Sequence, residues 1–296
     1  GGGRGVACAG DGGQRVGSGA FSPDGALCVT GSCDATAHIW DSRTGERLRV
    51  LRGRSRRIVQ LAWTPDGERI VSLAAGSNAA VWRLGSHPAL PELAGHLGGA
   101  RCRAVAADGT VATGAGDGRV RLWDPSGRRT GTGAHHDGPV RAIAWLDEQR
   151  LVSVGDDGVC WITDRQGSEL ARDAHDNALH ALDLDGDRTV IAVRGPGSAR
   201  LLDARNLAHL GDLDGHGVDG SEPAVQLAFH PDGSALMTGG RDGRLILRDL
   251  TDGSVQRRLD VVRQRPGEDH ELTALAFARD GRSVLTGNAT WGTVRV

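Results

Sequence analysis

One pattern recurs seven times along the 296 residues, and a chain built that way can bury its apolar surface only by stacking each unit on the next. In the first copy an apolar run leads into Phe21-Ser22-Pro23-Asp24-Gly25, and a second run spans Ala26 to Thr30. Gly31-Ser32-Cys33-Asp34 then makes a turn into Ala37-His38-Ile39-Trp40-Asp41, and a fourth strand, Arg47 to Leu51, ends before Gly53. The same order returns from Trp63-Thr64-Pro65-Asp66-Gly67 to Ala80-Val81-Trp82, and from Ala106-Ala107-Asp108-Gly109 to Arg121-Leu122-Trp123-Asp124. It returns again at Phe229-His230-Pro231-Asp232-Gly233 and at Phe277-Ala278-Arg279-Asp280-Gly281. The position of Trp40 recurs at 82, 123, 163, 202, 248 and 296, at intervals of 42, 41, 40, 39, 46 and 48 residues. Glycine makes up 46 residues without a G-X-Y period, which fits many tight turns and not a collagen helix.

These residues resemble the WD40-repeat family over essentially the whole chain. The resemblance implies an all-β, seven-bladed WD40-type β-propeller, because four short strands per unit at this period close into a ring without exposed edges. The expected organisation is a single domain over 1–296, with blades centred near 21–53, 58–95, 100–134, 140–174, 179–214, 224–260 and 272–296. The seventh unit stops at its third strand. The stretch 4–8 is therefore expected to supply the missing outer strand and close the ring.

The family's blades commonly hold a hydrogen-bonded tetrad of His, Ser or Thr, Asp and Trp. By resemblance only the third repeat carries all four, as His96, Thr113, Asp117 and Trp123. The first repeat keeps Thr30, Asp34 and Trp40 with Gly12 in the His place, and the second keeps Ser72 and Trp82 with Arg54 and Gly76. The fourth has His136, Ser153 and Asp157 but Thr163 for Trp, and the fifth keeps only His175 beside Ala192, Pro196 and Leu202. The sixth reads His216, Thr238, Asp242 and Arg248, and the seventh Glu268, Thr286, Thr290 and Val296. The fifth repeat is expected to be the weakest.

Composition narrows the function. The net charge is −2 with 35 basic residues, all Arg, so no general pull towards nucleic acid or an anionic membrane is expected. Absent Lys with excess Ala and Gly is the usage expected of a GC-rich bacterial genome. Residues 1–150 hold 19 Arg against 14 acids (+5), and residues 151–296 hold 16 against 23 (−7). Five cysteines without a C-x-x-C pair suit reduced thiols in a cytoplasmic protein. No apolar run approaches the roughly 18 residues of a membrane span, and no signal peptide opens the chain. The start without Met and the stop at Val296 suggest one domain of a larger protein.

Sets such as His136, Asp157 and Ser153 have the composition of a catalytic triad, but an active site occurs once and a strand-locking device many times. Asp183-Leu184-Asp185-Gly186-Asp187 has calcium-loop character, yet its Gly comes one place early and the twelfth position is Arg194, so it reads as a turn. The pair His135-His136 lacks a further His or Cys at ligand spacing. No metal or cofactor is expected. Trp145 takes the Phe place of its repeat and reads as core, and Trp161 reads as packing beside Thr163. Trp291, in a turn that is Asp-Gly-like elsewhere, is a candidate contact for a partner.

Loops from one blade's outer strand to the next blade's inner strand open on the face that WD40 proteins often use for partners. Arg54, Arg56 and Arg57 stand in the first, Asp219 and Glu222 in the fifth, and Glu268, Asp269 and Glu271 in the sixth. Long loops on a rigid scaffold are where binding concentrates. The resemblance implies a non-catalytic protein–protein interaction scaffold or sensor, fused to or acting with a signalling ATPase, kinase or protease domain. Two other classes stay open. A lactonase-like or cofactor-dependent propeller enzyme needs polar ligands at the channel mouth, and a nucleic-acid-binding propeller needs basic, aromatic surfaces that this sequence lacks.

Overall fold

A computed structural model describes residues 16–84, 92–195, 199–213, 224–240, 242–260, 272–277, 281, 284–288 and 292–295. Among them every regular element is a β-strand, and every pairing given is antiparallel. The first sheet joins β1 (Val16–Phe21), β2 (Leu27–Ser32), β3 (Ala37–Asp41) and β4 (Arg47–Leu51) in chain order. The second joins β5 (Ile58–Trp63), β6 (Arg69–Ala74), β7 (Ala79–Arg83) and β8 (Glu92–Leu93). The third joins β9 (Ala100–Val105), β10 (Val111–Ala115), β11 (Arg119–Trp123) and β12 (Arg129–His135). The fourth holds β13 (Val140–Trp145), β14 (Arg150–Gly155), β15 (Val159–Asp164) and β16 (Glu169–Ala174). The fifth runs β17 (Ala181–Leu184), β18 (Val190–Arg194), β19 (Ala199–Asp203), β20 (His209–Leu213), and the sixth β21 (Ala224–Phe229), β22 (Ala235–Gly240), β23 (Arg244–Asp249), β24 (Val255–Asp260). The described part of the last sheet has three strands, β25 (Leu272–Phe277), β26 (Val284–Asn288) and β27 (Gly292–Arg295). The stretch 4–8, expected to complete it, lies outside the described residues.

The chain divides into two compact units, one of residues 1–153 with 162–169, the other of 154–161 with 170–296. In the first unit Val29 and Ile39 of the first sheet pack with Leu61 and Trp63 of β5 in one core. Val71, Leu73 and Val81 of the second sheet pack in the same way with Ala100, Val111 and Trp123 of the third. The second unit repeats the arrangement, with Ala192, Ala199 and Leu201 against Leu227 and Phe229 of β21. Trp63 and Phe229, which end the inner strands β5 and β21, are thus buried on the preceding sheet. Phe21 holds the same place in β1, where no sheet of its unit precedes it, and is 62% exposed.

Even the irregularities recur. The register between third and fourth strands shifts at Ile39/Trp40, Leu122/Trp123, Leu201/Leu202 and Leu247/Arg248, a bulge repeated at the same rung. The turns repeat as well. Asp24, Asp66, Asp108, Asp147 and Asp232 each accept the backbone N–H two residues on, at 2.8–3.0 Å. The Asp that follows the Trp place does the same for the next turn: Asp41 takes Thr44 N–H at 2.7 Å and Asp124 takes Arg128 N–H at 3.0 Å. The second letter of the repeated Trp-Asp pair is therefore a turn cap.

Gly118 is one position where only glycine fits. Its φ is +72°, and a Cβ there would collide with the carbonyl oxygen of His136 on the neighbouring loop. Gly118→Ala is expected to lower stability by about 1–3 kcal/mol, through a strained backbone and a displaced loop. Urea unfolding checks it; an unchanged midpoint counts against so close an approach of the two loops.

Candidate protein-docking site

The four residues that the third repeat supplies form one connected chain of hydrogen bonds. Trp123 on β11 stands opposite Val111 of β10, so its ring lies diagonally over Thr113 two residues on. Its Nε1–H donates to Thr113 Oγ1 at 2.8 Å. The Thr113 hydroxyl also lies 2.7 Å from His96 Nε2, and His96 Nδ1 lies 3.2 Å from Asp117 Oδ1 and within hydrogen-bond reach of the Arg121 guanidinium, which can only donate to it. Burial pushes the Asp117 pKa up, but the Leu97 N–H, the Arg121 guanidinium, the Arg119 N–H and His96 outweigh it and hold it at about 2. Burial lowers the His96 pKa, which keeps the ring neutral in its role as relay. The set is a lock: Thr113 is fully buried and His96 nearly so.

The other repeats solve the same problem with different atoms. Trp40 donates to Thr30 and Trp82 to Ser72, each at 2.8 Å. Ser72 has no His beside it and turns its hydroxyl to the Ala80 carbonyl at 3.5 Å. In the sixth repeat the buried Arg248 stands in the Trp place and reaches Thr238 Oγ1 through Nη1 at 3.5 Å. In the fourth, His136 Nε2 meets Ser153 Oγ at 2.9 Å, and both are 1% exposed, too deep for an attacking hydroxyl. Thr163 fills the Trp place there, and its buried Oγ1 finds no hydrogen-bond partner among the described residues. The fifth repeat drops the polar pair for Ala192 and Leu202, both 0% exposed, and packs there without a hydrogen bond. Asp185 caps its own turn through Thr189 and Val190 N–H at 2.7 and 2.8 Å, which is the role of that acidic run. Trp145 is buried beneath the Arg165 guanidinium, and Trp161 is half-buried beneath that of Arg172.

Arg54 departs from its expected role. Its side chain is 2% exposed, pairs with Glu92 at 2.9 Å and donates to the Asn78 carbonyl oxygen. The second repeat has neither His nor Asp for its lock, so the guanidinium fills that space and needs Glu92 to balance its charge there. Arg54 is therefore framework and not a docking residue. Arg56 and Arg57 are exposed as expected. Asp219, Glu222, Glu268, Asp269, Glu271 and Trp291 lie outside the described residues. A cleft of about 300 Å³ opens between the turn Gly116–Gly118 and His135–Gly138.

The profile of the WD domain, G-beta repeat matches residues 6–41, 89–124, 127–164 and 208–249, just over half of the chain. The chain belongs to the WD40 family. It is similar to nuclear distribution protein PAC1 of Arthroderma benhamiae, 29% identical over 196 residues that cover 56% of this chain and 42% of that protein. WD repeat-containing protein 1 of Gallus gallus is 23% identical over 323 residues, 88% of this chain and 50% of that protein. Protein tipD of Dictyostelium discoideum is 23% identical over 271 residues, covering 82% and 41%. The chain spans about half or less of the length of these curated relatives.

Two charges of this WD40 chain escape a reading by tetrad. At the penultimate place of the inner strand six repeats carry Ala (20, 62, 104, 144, 228 and 276) and the fifth carries Asp183. Asp183 Oδ2 accepts the Phe229 N–H of β21 at 2.9 Å, clasping two neighbouring sheets of one unit. Burial, with a smaller push from the Asp185 carboxylate, raises its pKa to about 6 against its backbone hydrogen bonds. One place earlier, where five repeats have Leu or Ile and the first has Gly, the third has Arg103. Its guanidinium donates to the Leu61 carbonyl oxygen of β5, and burial pulls its pKa down to about 10. Aligning the repeats column by column exposes both, because each is the one ionisable residue in an apolar column.

Trp123→Ala should cost about 3–5 kcal/mol in denaturant unfolding, as for other buried Trp, whereas Trp123→Phe should cost markedly less because most of the packing stays. Equal costs would mean that the hydrogen bond to Thr113 outweighs packing. For Asp183 the raised folded pKa fixes the sign: the folded state holds the proton more tightly, so its share of stability is present below about pH 4 and lost as pH rises through about 6. The loss is on the order of 2 kcal/mol. Asp183→Ala should therefore gain on the parent chain as pH goes from 4 to 8 in thermal melts. A constant difference across that range would show that Asp183 titrates normally.

Proposed function

We propose that this WD40 chain is a non-catalytic platform that binds partner proteins through the loops leading from outer to inner strands. One observation carries it: the recurring polar residues are spent on holding strands together, while Arg56 and Arg57 in such a loop project outward with no ion pair among the described residues. The platform we envisage is a seven-bladed propeller closed by residues 4–8. Asp219, Glu222, Glu268, Asp269, Glu271 and Trp291 are proposed as further contacts of that platform, beside the basic Arg56 and Arg57. The relatives' greater length fits a domain working beside others, and a cytoplasmic signalling protein with an ATPase, kinase or protease domain is the context proposed. Neighbouring opposite charge sets the rate and orientation of docking more than the lifetime of the complex.

Crosslinking in lysate of the source organism, followed by mapping of the linked peptides, tests the platform. Links from a partner concentrated on residues 52–57 and the sibling loops support it, and a chain that links to no protein overturns it. With that partner in hand, Arg56→Glu with Arg57→Glu should slow association at low salt more than it speeds dissociation, and each change should alter stability by less than about 0.5 kcal/mol. An unchanged association rate would move docking off this loop.

A further inference from the structure

The loop that delivers His96 into its lock also carries the most exposed large apolar side chain among the described residues, Leu97, at 78%. The place that follows the tetrad His is polar or Gly in every other repeat: Gly13, Ser55, Asp137, Asp176, Gly217 and Asp269. Leu97 is also held rather than loose. Its N–H donates to Asp117 Oδ2 at 2.9 Å, and Asp117 is itself fixed by His96 and Arg121. A rigid exposed anchor loses little conformational freedom on binding, which is the economy that makes a few side chains dominate an interface.

Arginines stand on the turns that adjoin this loop. A Cβ on Gly98 would lie 3.5 Å from Gly116, and one on Gly116 would lie 3.2 Å from Arg101 Nε. On the other side a Cβ on Gly99 would meet Gly76 at 2.9 Å, and one on Gly76 would lie 3.6 Å from Arg56 Nη1. Arg119 joins the same turn, its N–H on Asp117 Oδ1 at 3.2 Å. Arg56, Arg101 and Arg119 are exposed and form no ion pair among the described residues. Two acids of these turns are already used, Asp117 by the lock and Glu92 by Arg54, while Asp137 lies across the cleft from Gly116–Gly118.

We propose that Leu97, with Arg56, Arg101 and Arg119 around it, is a docking patch for an acidic protein segment that carries an apolar side chain between carboxylates. The inference rests on the platform reading and names the chemistry of the partner. Guanidiniums recognise carboxylates in a planar, two-pronged geometry, and the apolar residue covers Leu97 from water. A nucleic acid suits the patch poorly, since it offers no aromatic ring for base stacking.

Fluorescein-labelled twelve-residue peptides of Asp and Glu with one central Leu are the probe, read by anisotropy against the whole chain. Two control peptides replace the acids by Lys or the Leu by Ser. The acidic Leu peptide should bind and weaken with salt, and either the Ser peptide or Leu97→Ser should cost about tenfold in affinity. Leu97→Ser should cost the Ser peptide far less, since the contact is already gone. Arg101→Glu with Arg119→Glu should abolish binding while the melting temperature holds. Equal binding of the Lys peptide, no binding at about 1 mM peptide, or full affinity in a folded Leu97→Ser chain each overturns the patch. Failure of the platform itself looks different. A partner crosslinked equally well by Leu97→Ser and by the parent chain overturns the patch and spares the platform, whereas absence of any crosslinked partner overturns both.

Discussion

In four repeats an N–H on the third strand reaches a hydroxyl buried in the second, and much of the architecture turns on satisfying that hydroxyl. Trp40, Trp82 and Trp123 make the contact at 2.8 Å across a diagonal of the sheet, and Arg248 makes a longer one. A buried hydroxyl left without partners costs free energy comparable to a lost hydrogen bond, so something must take its proton too. In the third repeat that partner is His96, whose other nitrogen meets Asp117 and Arg121. The lock therefore reaches from mid-strand to the loop that joins two sheets, and it fixes the loop's shape.

The same requirement explains why the repeats vary without losing the fold. Where His is missing, Ser72 turns to a backbone carbonyl; where both polar partners are missing, Ala192 and Leu202 simply pack. A fully satisfied polar set and a fully apolar one are both stable answers, and the costly case is the half-satisfied one. Thr163 comes nearest to that case, a buried hydroxyl in a place shaped for Trp. Arg54 shows how far substitution can go: a charge drawn inside brings its own counter-charge, Glu92.

The proposed docking patch is the outward side of the third repeat's lock. Asp117 holds the Leu97 N–H and the Arg119 N–H as well as the His96 ring, so framework and surface share one carboxylate. Rigidity at the loop is thus a by-product of strand locking. The interaction surfaces proposed here cost the fold little, because the strand core beneath them is buried independently of what the loop tips carry.

The seven-fold period, the Pro-Asp-Gly turns and the spacing of the Trp places were enough to determine an all-β chain of repeated antiparallel units, and the family resemblance supplied the membership of the third tetrad. Those features are local in sequence or periodic, so they can be read without knowing what packs on what. The tertiary structure alone decided that Arg54 turns inward while Arg56 and Arg57 do not, that Leu97 stands out in water, and that Asp183 clasps the next sheet. Arg54 and Arg56 are alike in sequence and two residues apart; what separates them is a vacant lock in the second repeat and the reach of Glu92 from β8, thirty-eight residues on. Burial and pairing depend on neighbours that are distant along the chain, and a periodic pattern carries no record of them.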